Sequence, residues 1–252
     1  MNDPWFTLKR FTQARIGRGH SGCATPTSAQ LEFQLAHAMA RDAVHQPWQL
    51  ESFAEAITAK GWQPLLLSTP ISDRRQYLLR PDLGRCLDHA SRQCLQTQQA
   101  SDIDVALIIS NGLSSTAIDS HGLALLESVM AAYASCSLNV GPVCLVPNAR
   151  VALADEIGGL LNARLSVIIV GERPGLSAAD SLGVYLTYLP RIGNSDAERN
   201  CLSNIRPPQG LSCEAAATKL AYLSTQAIQR GMSGVALKDD MPVNWLETTV
   251  PI

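Results

Sequence analysis

The chain has 252 residues, 46% of them hydrophobic, with a formal net charge of −2. That length supports one substantial core, or a core domain with a smaller appendage. The near-neutral balance offers no strongly basic face for nucleic acid, and no apolar run approaches the roughly 20 residues that span a bilayer.

Residues 1–27 read as irregular, because Gly17, Gly19, Gly22 and Pro26 break any period. Arg10, Arg15 and Arg18 make this stretch basic, either a solvated tail or an arm that grips a partner. Ser28 is placed to cap a helix running to about Val44, with Leu31, Leu35, Ala38 and Met39 on one face and Pro47 as its stop. A second helix is predicted from Leu50 to Lys60, ended by Gly61. Leu65–Leu67 reads as a short strand, and Pro81 opens a helical pattern over Asp82–Gln98.

From residue 102 the pattern becomes strand, loop, helix, repeated. Val105–Ile109 is a predicted strand, followed by the loop Ser110–Ser115 and a helix to about Tyr133. Strands at Val143–Val146 and Leu165–Val170 flank a helix at Ala152–Leu161; Gly183–Leu189 is a further strand. Ser212 caps a last helix to Arg230, ended by Gly231. This alternation predicts an α/β protein with a Rossmann-like open parallel sheet over residues 101–252, behind a smaller, mainly helical region over 1–100.

The most informative stretch is Val167-Ile168-Ile169-Val170 followed by Gly171-Glu172-Arg173-Pro174-Gly175. Four β-branched residues read as a buried strand, and open α/β sheets bind ligands at carboxyl strand ends. The glycines would let backbone N–H groups face a ligand. Glu172 would accept hydrogen bonds from amides or hydroxyls, and Arg173 would engage a phosphate or a partner's carboxylate.

Other chemistry is poorly supported. No G-x-G-x-x-G or G-x-x-x-x-G-K-[ST] pattern is present for a dinucleotide or a P-loop nucleotide. Ser114 and Ser115 lack a G-x-S-x-G elbow and read as helix caps. Seven cysteines without a C-x-x-C pair argue against a disulfide framework and a zinc site; most read as small buried hydrophobes. The five histidines form no metal cluster, so no metal-ligating or catalytic residue is assigned. Asp119-Ser120-His121 begins like the D-x-H-x-x-G motif of base-off cobalamin proteins, but Ala124 stands at the glycine position, and His121 reads as a surface or interface residue. Met1-Asn2-Asp3-Pro4-Trp5 carries no charged-then-apolar signal, which predicts a cytoplasmic location.

Several segments, in order over about residues 7–235, resemble the small subunit of ethanolamine ammonia-lyase. They include Phe33-Gln34-Leu35-Ala36-His37-Ala38, Arg80-Pro81-Asp82-Leu83-Gly84-Arg85, Ser110-Asn111-Gly112-Leu113-Ser114, Val170–Gly175 and Cys201-Leu202-Ser203-Asn204-Ile205. The resemblance implies a hetero-oligomer with a large subunit, a TIM barrel that binds ethanolamine and holds the radical chemistry. This subunit would cover the barrel mouth and clamp adenosylcobalamin, bound base-on, between the chains. The implied reaction starts with homolysis of the cofactor's Co–C bond and gives acetaldehyde and ammonia. By the same resemblance Val151, Glu172 and Cys201 contact the cofactor, each following a strand end. Some relatives carry a leader that addresses the enzyme to a bacterial microcompartment; the stretch before the first matched helix here is short. The alternative is a stand-alone corrinoid-binding or regulatory relative without lyase activity. Asn111 replaces an aspartate of the family's Ser-Asp-Gly-Leu-Ser. If that aspartate pairs with a cation across the subunit interface, Asn111 weakens the contact; if it shapes the turn, asparagine is nearly equivalent.

Overall fold

The computed structural model describes residues 4–98, 102–242 and 245. The helices are α1 (Pro4–Leu8), α2 (Thr27–His45), α3 (Leu50–Ala59), α4 (Arg74–Leu79), α5 (His89–Thr97), α6 (Ser115–Ala117), α7 (Leu123–Ser135), α8 (Leu153–Leu160) and α9 (Cys213–Arg230). A π turn at Ile118–Gly122 joins α6 to α7. The strands are β1 (Pro64–Leu66), β2 (Val105–Ser110), β3 (Val140–Leu145), β4 (Leu165–Gly171), β5 (Leu182–Tyr188) and β6 (Arg199–Ile205), in one sheet ordered β1-β3-β2-β4-β5-β6. Strand β1 falls in the first hundred residues, yet it pairs with β3 as the sheet's edge.

The sheet is mixed rather than parallel throughout. β1, β3, β2 and β4 pair in parallel, whereas β5 is antiparallel to both β4 and β6. Five strands therefore share one direction and β5 alone runs against them. The reason lies in the connections. A parallel crossover needs a dozen or more residues and usually a helix. Between β4 and β5 there are ten residues and no helix, so the chain turns straight back.

β2 and β4 are buried at every position, as two covered faces require. Alternate residues of β2 serve the two faces: Val105, Leu107 and Ile109 pack with α7 and α9, and Ala106 and Ile108 with α8. Ser212 caps α9 by accepting from the Ala215 N–H at 3.1 Å, and Gly231 ends it in the left-handed region.

Several local expectations give way. The helix expected over Asp82–Gln98 is a single-turn 3-10 segment at Leu83–Arg85 and then α5, because Asp88 caps α5 by accepting from Ser91 N–H at 2.7 Å. Helix α4 precedes them, capped by Asp73. Helix α2 starts at Thr27 with Pro26 before it and no side-chain cap, so Ser28 lies inside it. Part of the arm is ordered as α1 and a 3-10 turn at Lys9–Phe11. All seven cysteines are free, but only Cys144 and Cys213 are buried; Cys23 and Cys201 are exposed. Among the described residues no helix is long and apolar enough to cross a membrane.

Candidate functional site

The carboxyl edge of the five co-directional strands carries the loops after β2, β3 and β4. They are laced together by a few buried polar groups. The Ser110 hydroxyl accepts from Gly112 N–H at 3.2 Å and from Ala149 N–H at 3.0 Å. Asn111 Oδ1 accepts from Asn148 N–H at 2.8 Å, and its Nδ2 donates to Ser115 Oγ at 3.1 Å. The Leu113 N–H donates to Gly171 O at 2.9 Å. Gly171 must be glycine for this reason: a Cβ there would lie 2.1 Å from Ser114 O. The expected role of the loop glycines as amide donors to a ligand is therefore corrected. Gly171 pairs with Leu182 in the sheet, and Gly175 N–H donates to Ala178 O at 2.8 Å.

Two adjoining cavities open on this edge. One, of about 420 Å³, is lined by Tyr77, Leu113, Arg150, Val151, Glu172 and Tyr185, among others. The other, of about 280 Å³, shares Arg150, Val151 and Tyr185 and ends at Cys201 and Arg85. Val151, Glu172 and Cys201 thus border one groove, with Val151 in the common wall. Val151 and Glu172 follow the ends of β3 and β4. Cys201 does not follow a strand end; it is the third residue of β6 and pairs with Tyr185.

The Glu172 carboxylate is held by its own chain. Ser181 Oγ and Ser203 Oγ donate to it at 2.5 Å each, and Asn204 N–H donates at 3.2 Å. A carboxylate offers about four acceptor sites, so one direction remains for a ligand donor. Although Cys201 is exposed as a residue, the protein around its thiol desolvates it enough to push it up from its ordinary value, and burial likewise raises the Tyr185 phenol. Cys201 is then a neutral thiol at physiological pH, suited to packing rather than nucleophilic attack.

Residues not singled out from the sequence build the opposite wall. Tyr77 is buried, with its hydroxyl donating to Ala149 O at 3.2 Å. Arg150 stacks on its ring at 4.2 Å and Arg74 at 4.7 Å. Arg74 donates to Val44 O, Gly112 O and Asn148 Oδ1 at 2.6, 2.7 and 2.9 Å, which ties the end of α2 to the loops after β2 and β3. Tyr77 stands three residues before the family-like Arg80–Arg85 segment. Arg150 left only one signal, a lone charge in the loop after a strand beside Val151.

At the start of β6, Arg199 lines the second cavity and forms a buried ion pair with Asp155 at 2.6 Å. His121 lies outside the groove. Its Nε2 is 3.3 Å from Asp180 Oδ2, and Arg206 Nε donates to Asp180 Oδ1 at 2.8 Å. Burial works to raise the Asp180 carboxyl, but the Arg206 and His121 bonds outweigh it and the net shift is downward. Among the described residues no three His, Cys, Asp or Glu side chains gather where a metal would bind.

A family model described as ethanolamine ammonia-lyase light chain (EutC) matches residues 2–238. A protein of Pseudomonas paraeruginosa named ethanolamine ammonia-lyase small subunit is 48% identical over 252 residues, covering 99% of this chain and 92% of that protein. Proteins of the same name from Ralstonia nicotianae and Azotobacter vinelandii are 48% and 46% identical, each over 97% of this chain and 92% of their own length.

Proposed function

We propose, from the premise that this chain belongs to the ethanolamine ammonia-lyase light-chain family, that its groove is one half of a corrinoid site completed by the large subunit. The chain is the small subunit of a lyase that acts on ethanolamine. The observation that carries the cofactor reading is the groove itself: Val151, Glu172 and Cys201 come from three separate loops and strands and border one continuous surface.

The residues present suit such a ligand. The two cavities, about 420 and 280 Å³, are each smaller than a whole corrinoid and open to the outside, as half of a cleft should be. Val151 and Tyr185 offer an apolar and aromatic wall, and Cys201 packs as a neutral thiol. Glu172, preorganised by Ser181 and Ser203, accepts from amide groups on the ring's edge. Adenosylcobalamin, when bound, supplies the radical chemistry of the lyase. This chain contributes position and electrostatics and no acid, base or radical-bearing group. The Rossmann-like kinship of the sheet belongs to the same reading, supported by its parallel β1–β4 part and the ligand groove at the carboxyl edge.

Helix α2 supports a partner subunit. Leu31, Leu35 and Met39 form a stripe at i, i+4, i+8, and they are 59%, 63% and 57% exposed. Apolar stripes of that kind on a soluble chain mark association surfaces. Beside them runs the arm, with Lys9, Arg10, Arg15 and Arg18 exposed or half-exposed and no acidic residue between 4 and 27. The helical first hundred residues then grip the large subunit, which we take as a TIM barrel, and residues 101–252 present the groove to it.

The test is co-expression with a large subunit and an assay for acetaldehyde from ethanolamine, with and without adenosylcobalamin. Turnover should require this chain and the cofactor together. In the same assay Glu172→Ala should raise the apparent requirement for adenosylcobalamin roughly ten- to a hundred-fold, the loss of one charged hydrogen bond, and leave that for ethanolamine nearly unchanged. Turnover without the chain overturns the subunit reading, and an equal effect on both requirements removes Glu172 from the groove's ligand surface.

A further inference from the structure

Arg150 lines both cavities, with Arg173 in the first and Arg85 in the second, and among the described residues none of the three forms an ion pair. Arg74 and Arg150 both lie over the Tyr77 ring, and among the described residues neither forms an ion pair with any carboxylate. Partly buried arginines are ordinarily paired. The contrast within this molecule is direct: Arg199, which lines the second cavity, has Asp155 at 2.6 Å. The Glu172 carboxylate lies in the first cavity with Arg150, and its hydrogen bonds come from the neutral donors Ser181, Ser203 and Asn204 rather than from Arg150.

Arg150 is also rigidly held. Its Nη2 donates to Tyr77 O at 3.0 Å, and its backbone N–H donates to Gly84 O at 2.7 Å. The 83–85 segment lies so close that a Cβ on Gly84 would sit 3.0 Å from Arg150 Cγ. Its Nε is buried without a hydrogen-bond partner among the described residues. Because it lines both cavities, this fixed guanidinium faces any ligand that fills the groove. With Nη2 held by Tyr77 O and Nε buried, Nη1 is the nitrogen left to donate to an anionic oxygen.

We propose that Arg150, with Arg74 beside it over the Tyr77 ring, is the anion-holding residue of the groove and contacts the phosphodiester in the nucleotide tail of the bound corrinoid. This rests on the corrinoid reading above. The corrin's own amide side chains are neutral, so the phosphodiester is the one anionic group such a ligand brings. The positioning is electrostatic: it anchors the tail and so fixes how the ring lies against Val151, Tyr185 and Cys201.

The experiment is equilibrium binding to the reconstituted two-subunit complex, followed by corrinoid absorbance. Two probes are compared: adenosylcobalamin, and adenosylcobinamide, which lacks the phosphodiester and base. Arg150→Gln should weaken adenosylcobalamin binding roughly ten- to a hundred-fold, as for one charge-assisted hydrogen bond lost, and leave adenosylcobinamide binding unchanged. Arg150→Lys, which keeps the charge, should recover most of the loss. Equal weakening for both probes, or none for cobalamin, overturns the proposal while leaving the groove as the corrinoid site. If the unsubstituted complex takes up neither probe, the corrinoid reading falls and this inference with it. A measurement on the unsubstituted complex guards against misfolded variants. Its preference for cobalamin over cobinamide should shrink as sodium chloride is raised, and a preference flat in salt also overturns the assignment.

Discussion

Helices α2 and α9 are nearly equal in length, 19 and 18 residues, and both carry an apolar side, yet α9 buries nine residues and α2 buries only Ala43. Helix α9 lies on the sheet beside α7, where Tyr133 and Ser224 join their hydroxyls at 2.9 Å and Tyr222 meets Trp245 edge to face. Helix α2 turns Leu31, Leu35 and Met39 outward. Periodicity specifies that a helix has an apolar side. It does not specify which chain covers that side, and in a subunit of a larger enzyme the answer differs from helix to helix.

The contrast can be broken by substitution. Leu220→Ala in α9 should have the largest effect on folding, about 2–5 kcal/mol, because Leu220 is 1% exposed and its removal leaves a cavity. Denaturant unfolding measures it, and a loss under about 1 kcal/mol would mean that α9 does not seal the core. The paired substitution Leu35→Gln with Met39→Gln in α2 should change folding by no more than about 0.5 kcal/mol, as exposed helical sites do. It should instead weaken assembly with the large subunit by about 2 kcal/mol, near thirtyfold. Titration of the large subunit onto the chain reads this directly. Undiminished assembly would leave the stripe without a partner role, and a folding loss as large as that of Leu220→Ala would show the stripe to be core.

Residues whose environment is local were the legible ones. The β-branched run of β4 announced a buried strand, and Ser212 with Gly231 marked both ends of α9. Strand β6 escaped because Arg199, Asn200, Ser203 and Asn204 give it no apolar alternation, and as an edge strand it needs none. The direction of β5 was invisible in β5 itself; it is set by the short helix-free connection before it. At the groove, Glu172 was legible as a charge between glycines after a buried strand. Cys201 came only through family resemblance, since a lone cysteine in a polar segment signals nothing. Arg74 and Tyr77 are an i, i+3 pair on α4, but Arg150 joins them from more than 70 positions away, and no local pattern encodes that contact.

The smallest effect should come from the position where the chain departs from its family. Where α2 points its side chains toward a second chain, Asn111 points its own inward: it is 4% exposed, with Oδ1 on Asn148 N–H and Nδ2 on Ser115 Oγ. An interface role for this position would need the side chain outside, so the turn-shaping alternative holds. A carboxylate there could accept from Asn148 N–H as the amide does, and from Ser115 if that hydroxyl turned to donate. Burial of its charge would cost free energy, offset by Arg74, which bonds the O of the next residue, Gly112, and the Oδ1 of Asn148, whose N–H meets Asn111. Asn111→Asp should therefore shift unfolding by no more than about 0.5 kcal/mol and leave assembly with the large subunit unchanged in the same titration. A marked gain in assembly would return the residue to the interface. A weaker salt dependence of corrinoid binding, with assembly constant, would show that its charge reaches Arg74 and Arg150 instead.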